Sequence, residues 1–148
     1  MIDTSKYNTN DAFNAGLATR LKVLGPEYVK PSIEGAAEDP FMQTLQQFVT
    51  ETAWGTVWQR EGLDLKTRSL LNLAMLSALG REGELKLHTR GAINNGCSKE
   101  EIAEVFLQAA VYAGAAIGSG MGGVIISRLG IEALGLASGL IATLAIAH

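Results

Sequence analysis

Glu84 and His88 stand four residues apart in the stretch Arg81-Glu82-Gly83-Glu84-Leu85-Lys86-Leu87-His88-Thr89-Arg90, and His88 is the chain's only internal histidine. On an α-helix, residues i and i+4 lie one above the other, so the carboxylate can accept a hydrogen bond from the imidazole. That contact would orient the ring and raise its pKa from about 6.5, keeping a population of imidazolium near neutral pH. The pair reads as a general acid with its orienting carboxylate. The same spacing also occurs on solvated helix faces, where such pairs contribute only about 0.2–0.5 kcal/mol and do no chemistry. Apolar Leu85, Leu87, Ala92 and Ile93 are interleaved with Arg81, Glu84, His88 and Arg90, the pattern of a packed helix that turns polar groups towards a cavity.

Length and charge bound what such a pair could serve. The chain has 148 residues, enough for one domain (residues 1–148) with an ordinary core. Its formal net charge is −3 and its basic residues are scattered, so there is no basic stripe of the kind nucleic acid requires. The single cysteine, Cys97, excludes an internal disulfide and any Cys-x-x-Cys redox or zinc arrangement. Those features, with an N-terminus that lacks the basic and apolar regions of a signal peptide, give the expectation of a cytoplasmic protein. The segment Ala133 to Ala147 is apolar, but it is shorter than a spanning helix needs and is interrupted by Gly135 and Gly139. It is expected to be a buried interface helix and not a membrane anchor.

The elements that must position the pair read as helices throughout, since no run alternates convincingly with period two. The expected fold is all-α. Asn10-Asp11 caps a first helix that Gly25-Pro26 stops. Residues from Pro31 to Glu38 are expected to be a connector. Asp39-Pro40 then opens a second helix, through Phe41, Leu45, Phe48, Val49 and Ala53 towards Trp58. Asp64 caps a third helix with Leu70, Leu71, Leu73, Ala74, Leu76 and Leu79, apolar round much of its girth and so expected to be central. A fourth helix carries Glu84 and His88 and ends at Asn94-Asn95-Gly96. Ser98-Lys99-Glu100-Glu101 forms a capping box that starts a fifth, through Ile102, Val105, Phe106 and Ala109. Gly118-Ser119-Gly120-Met121-Gly122-Gly123 matches a dinucleotide fingerprint, but no strand precedes it and too little chain follows to build a βαβ unit, so it is read as a hinge or a tight helix contact.

The words Ala53-Trp54-Gly55-Thr56-Val57-Trp58-Gln59-Arg60-Glu61-Gly62-Leu63-Asp64 and Thr67-Arg68-Ser69-Leu70-Leu71 form an ordered pattern. It continues with Ala78-Leu79-Gly80-Arg81, Glu84-Leu85, His88-Thr89-Arg90, Asn94-Asn95-Gly96, and Glu100-Glu101-Ile102 leading to Gln108 and Tyr112. From about Gly16 to Ala116 the chain resembles the γ-carboxymuconolactone decarboxylase family. That resemblance implies a helical bundle of about six or seven helices, alkylhydroperoxidase D-like, assembled into a homotrimer or homohexamer ring. It also implies an activity with no cofactor and no metal. The implied reaction converts 4-carboxymuconolactone to 3-oxoadipate enol-lactone in aromatic-compound catabolism, the β-ketoadipate pathway. The substrate acts as its own electron sink, because electrons left by the departing carboxylate run through the double bond onto the lactone carbonyl. A site for it binds two carboxylates, excludes water and protonates one ring carbon.

On this reading His88 donates the proton and Glu84 orients it. Arg68, Arg81 and Arg90 are the candidates for carboxylate binding, because a guanidinium offers a planar two-point fork. Trp54 and Trp58 are candidates for the pocket wall, against the plainer reading of core or interface residues. Peroxidase relatives in the wider superfamily look like Cys-x-x-Cys proteins with a histidine four residues on. Arg81 and Glu84 occupy the cysteine positions here, so that chemistry is not expected. Beyond Tyr112 the chain departs from the family pattern, with Ala113-Gly114-Ala115-Ala116 and a divergent apolar tail from about residue 117. The competing readings are a related decarboxylase or enolising enzyme acting on another lactone or keto acid, and a non-catalytic assembly protein working through the tail.

Overall fold

The computed structural model describes residues 2–113, all of whose regular elements are helical. The glycine motif at 118–123, the apolar tail and His148 lie outside the described residues. Six α-helices run in order: α1 Asp11–Leu24, α2 Pro26–Ala36, α3 Pro40–Val49, α4 Leu65–Ala78, α5 Glu82–Asn94 and α6 Lys99–Ala113. A π-helical segment, Thr50–Val57, continues directly from α3. The chain divides into two compact units. One runs through Ser69 and includes Arg90–Gly96, and the other holds Leu70–Thr89 and the stretch that begins at Cys97.

In the first unit, α1 starts where Asn10 accepts a hydrogen bond from the Phe13 backbone N–H at 2.9 Å. It ends where Gly25 takes φ 83°, a conformation that glycine adopts without strain. The expected connector from Pro31 is instead the second half of α2. Pro31 lacks an N–H to donate and disturbs the preceding turn, but burial of Val29, Ile33 and Ala36 along one face outweighs that loss. Tyr7 adds a 2.6 Å hydrogen bond to the Ile33 carbonyl and stacks on Phe13.

The seam between α1 and the π-helical segment is the tightest in this unit. Gly16 and Gly55 face the opposing backbones so closely that a Cβ on Gly16 would sit 2.7 Å from the Gly55 nitrogen. Beside them Arg20, only 4% exposed, donates to Gln46 Oε1 at 2.7 Å and to Thr50 Oγ1 and Ser32 Oγ at 3.2 Å. One guanidinium thus ties α1, α2, α3 and the π-helical segment together, and burial pulls its pKa down from the usual arginine range.

The second unit is built round Leu73, Leu85, Ile102 and Phe106. The expectation that α4 is central is only partly met: Leu73 is fully buried, whereas Leu71, Met75 and Leu79 form an exposed line at four-residue spacing. The capping box at the start of α6 forms as read from its residues. Glu101 Oε2 accepts from the Ser98 N–H at 2.8 Å, and Ser98 Oγ from the Glu101 N–H at 3.2 Å.

Candidate active site

His88 is set by the way α4 turns into α5. At the end of α4, Gly80 takes φ 65°, its N–H donates to the Ser77 carbonyl and the Arg81 N–H donates to the Leu76 carbonyl. This is a Schellman stop, which reverses the chain sharply and brings α5 back beside α4. Glu82 and Glu84 lie in the first turn of α5, where the helix dipole favours carboxylates, and Lys86 pairs with Glu82 at 2.6 Å. Leu85, buried to 3% exposure, anchors the face one turn before His88.

Here the structure corrects the reading of the Glu84–His88 pair. One polar contact of the ring is with Asn72 of α4, whose Nδ2 lies 3.4 Å from His88 Nδ1. Glu84 is exposed and acts through space, favouring the charged ring. Burial opposes it more strongly, so the His88 pKa lies below the ordinary value, not above it. The resting imidazole at neutral pH is largely neutral. Spacing gave the carboxylate's sign of effect correctly but could not weigh it against desolvation, which depends on how deeply α5 is packed.

The other candidates are placed as follows. Arg81 belongs with His88 and Glu84 to the second unit and is exposed. Arg68, Arg90, Trp54 and Trp58 belong to the first. Arg90 is exposed. Arg68 is part-buried, with Nη2 donating to the Arg60 carbonyl at 2.8 Å. Its Nε–H is buried and has no hydrogen-bond partner, so one edge of the guanidinium fork has an unmet donor. Trp54 and Trp58 are buried and stacked on each other, ring centroids 4.6 Å apart, so each gives one face to its neighbour. Asn72 is the residue that sequence reasoning passed over. The signal was available: it is a lone amide in the apolar run Leu70-Leu71-Asn72-Leu73.

Among the described residues no cluster of three His, Cys, Asp or Glu side chains could hold a metal ion, and no helix is long and apolar enough to cross a membrane. Cys97 is buried at the turn after α5.

Comparison with known proteins adds to this geometry. The family model described as "Carboxymuconolactone decarboxylase family" matches residues 43–119. The chain is 52% identical over 102 residues to the nitrosuccinic acid decarboxylase npaB of Metarhizium robertsii, covering 69% of this chain and 70% of that protein. It is 44% identical over 107 residues to the 4-carboxymuconolactone decarboxylase of Acinetobacter baylyi, covering 72% and 78%. An uncharacterized 15.0 kDa protein of Paracoccus denitrificans is 34% identical over 80 residues.

Proposed function

This chain belongs to the carboxymuconolactone decarboxylase family, and on that premise we propose that it is a carboxy-lyase converting 4-carboxymuconolactone to 3-oxoadipate enol-lactone. The observation that carries this reading is a part-buried imidazole held by Asn72 and influenced by Glu84, in a chain 44% identical to a decarboxylase named for that substrate. The bond from the γ-carbon to its carboxylate breaks heterolytically. Carbon dioxide leaves, and the electron pair passes through the ring double bond to the lactone oxygen. His88 returns one proton to the ring carbon, and solvent replaces it.

The lowered pKa fits a site that charges on demand. A dianionic substrate brings negative charge to the ring, which favours imidazolium when the acid is needed. Arg68, Arg81 and Arg90 are the candidate carboxylate binders of this reading, because each guanidinium offers a planar two-point fork. The supporting assembly is a homotrimer or homohexamer. In its favour, α3 has no buried residue and exposes Phe41, Met42, Leu45 and Phe48. Light scattering on purified protein tests the assembly, and a monomer would overturn it.

A second substrate reading is favoured by the 52% match to a nitrosuccinic acid decarboxylase. Nitrosuccinic acid, like the lactone, is a dicarboxylic acid with one carboxylate on a carbon bearing an electron sink. Carbon dioxide release from each acid, measured side by side on the same protein, decides between them. Release from nitrosuccinate alone would replace the lactone reading, and release from neither would remove both.

A further inference from the structure

We propose that Asn95 is a site of spontaneous modification: its side-chain amide clamps the end of α5 to the start of α4, and deamidation at Asn95-Gly96 turns that clamp into a repulsive contact. The inference goes beyond the assigned reaction and does not depend on it. Every residue it uses lies in the first unit.

Asn95 is the chain's only asparagine followed by glycine. Asparagine is a thermolabile residue, and its amide is lost when the backbone nitrogen of the next residue attacks the side-chain carbonyl. A glycine in that next position has no side chain to obstruct the approach. The Gly96 nitrogen gives up its proton and forms a bond to Asn95 Cγ, and the Cγ–Nδ2 bond breaks as ammonia carries a proton away. Water then opens the cyclic imide at one of its two carbonyls. The product is aspartate, or isoaspartate with the backbone rerouted through Cγ. Water is the only other reactant.

The fold engages both reacting groups elsewhere. Gly96 has φ 84°, and its N–H donates to the Ile93 carbonyl at 3.0 Å. Asn95 Nδ2 donates to the Leu65 carbonyl at 3.2 Å and to Ser69 Oγ at 2.9 Å. The orientation of this amide follows from chemistry, since a carbonyl can only accept. Attack on Cγ therefore requires the end of α5 to open, a local event and not unfolding of the whole chain. Asn94 supplies an internal reference. Its Nδ2 donates to the Val23 carbonyl at 2.8 Å, and the residue that follows it carries a side chain.

The exchange of an amide nitrogen for oxygen is felt because the surroundings are closed. Ser69 is 1% exposed and Asn95 is part-buried. The Ser69 hydroxyl can turn and donate to a carboxylate, but the Leu65 carbonyl cannot, so a negative oxygen is set against a carbonyl oxygen. Isoaspartate also adds a backbone carbon immediately before Gly96, in a turn whose shape rests on that residue's positive φ. Either product loosens α5 from the start of α4, so the first unit carries a weak point that grows with the age of the molecule.

The test follows the mass of one peptide. The full chain is incubated at mildly alkaline pH, folded or in urea, and digested with trypsin. Cleavage after Arg90 and Lys99 releases Gly91 to Lys99, in which fragment masses separate Asn94 from Asn95. The amide-to-acid mass gain is expected at Asn95 and not at Asn94, slower in the folded chain than in urea by about tenfold to a thousandfold, the range of a local opening. Asn95→Asp, the first of the two products, is expected to melt about 4 °C below the parent. Aged wild-type chain checks the same consequence without a variant, since its modified fraction should unfold at lower urea than its unmodified fraction. A rate ratio outside that window, a mass gain that falls at Asn94, or a modified fraction as stable as the unmodified one would overturn the proposal.

Discussion

Gly16→Ala should unfold the first unit more readily, although alanine is the better helix former. A Cβ at Gly16 meets the Thr50 carbonyl oxygen closer than real Cβ atoms approach, and lies 2.7 Å from the Gly55 nitrogen and 3.1 Å from its Cα. All three are backbone atoms, so no rotamer change relieves the overlap. The π-helical segment must move away from α1, loosening the 3.2 Å hydrogen bond from Arg20 to Thr50 Oγ1 and exposing the edge of Trp54. Overpacking against a rigid neighbour costs about 3 kcal/mol, the top of its usual range, from which better helix propensity recovers about 1 kcal/mol, leaving about 2 kcal/mol of destabilisation. For a chain of this size that lowers Tm by roughly 4–8 °C. Gly35→Ala in α2 is the control, because a Cβ there meets nothing within 4 Å. It should stabilise by about 0.5–1 kcal/mol through propensity. Urea unfolding of both variants at fixed protein concentration gives the comparison. A Gly16→Ala protein as stable as the parent, or two variants shifted in the same direction, would refute the close α1 seam.

The remaining predictions concern a cap, a proton and an anion. Ser98→Ala removes one arm of the capping box on α6 and should cost about 1 kcal/mol in urea unfolding. The pH profile of kcat/KM should be highest on the acid side and fall about tenfold per pH unit above a His88 pKa that lies below 6.5, because the acting species is imidazolium. Linkage has the matching sign in the resting protein. The folded state binds this proton less tightly than the unfolded chain, so His88's contribution to stability is full above about pH 6.5 and is lost as pH falls through the folded pKa. NMR titration of the ring checks the shift, and a midpoint above 6.5 would contradict it. Arg68→Leu should raise KM more than it lowers kcat, whereas Arg81→Leu and Arg90→Leu, at exposed positions, should change both less; steady-state kinetics separates the three.

The capping residues were the most legible part of the sequence. Asn10, Asp39 and the Ser98–Glu101 box state their roles in side-chain chemistry, and all three form as read. Gly25 and Gly96 mark helix stops for the same local reason, confirmed by their positive φ angles. What the sequence hid was set by packing. Pro31 reads as a helix breaker until Val29, Ile33 and Ala36 are seen to share a buried face. The π-helical register of Thr50–Val57 leaves no mark in composition; the close glycine pair that accommodates it is visible only once the two backbones meet. At the candidate site, residue type and the family pattern single out His88 as the residue to examine. Its pKa direction was not legible, because a charge four residues away is visible in sequence while desolvation is not. Asn72 lies 16 positions from His88, beyond any local rule, and only the Gly80 reversal makes them neighbours.

Carbon dioxide release from 4-carboxymuconolactone, by the purified protein and by His88→Ala of the same assembly state, tests the central claim most directly. The account predicts turnover by the parent and a loss of at least about a hundredfold in the variant, the contribution of a positioned general acid. A variant that releases carbon dioxide at the parent's rate would contradict the role given to His88. A parent that releases none would contradict the assigned reaction.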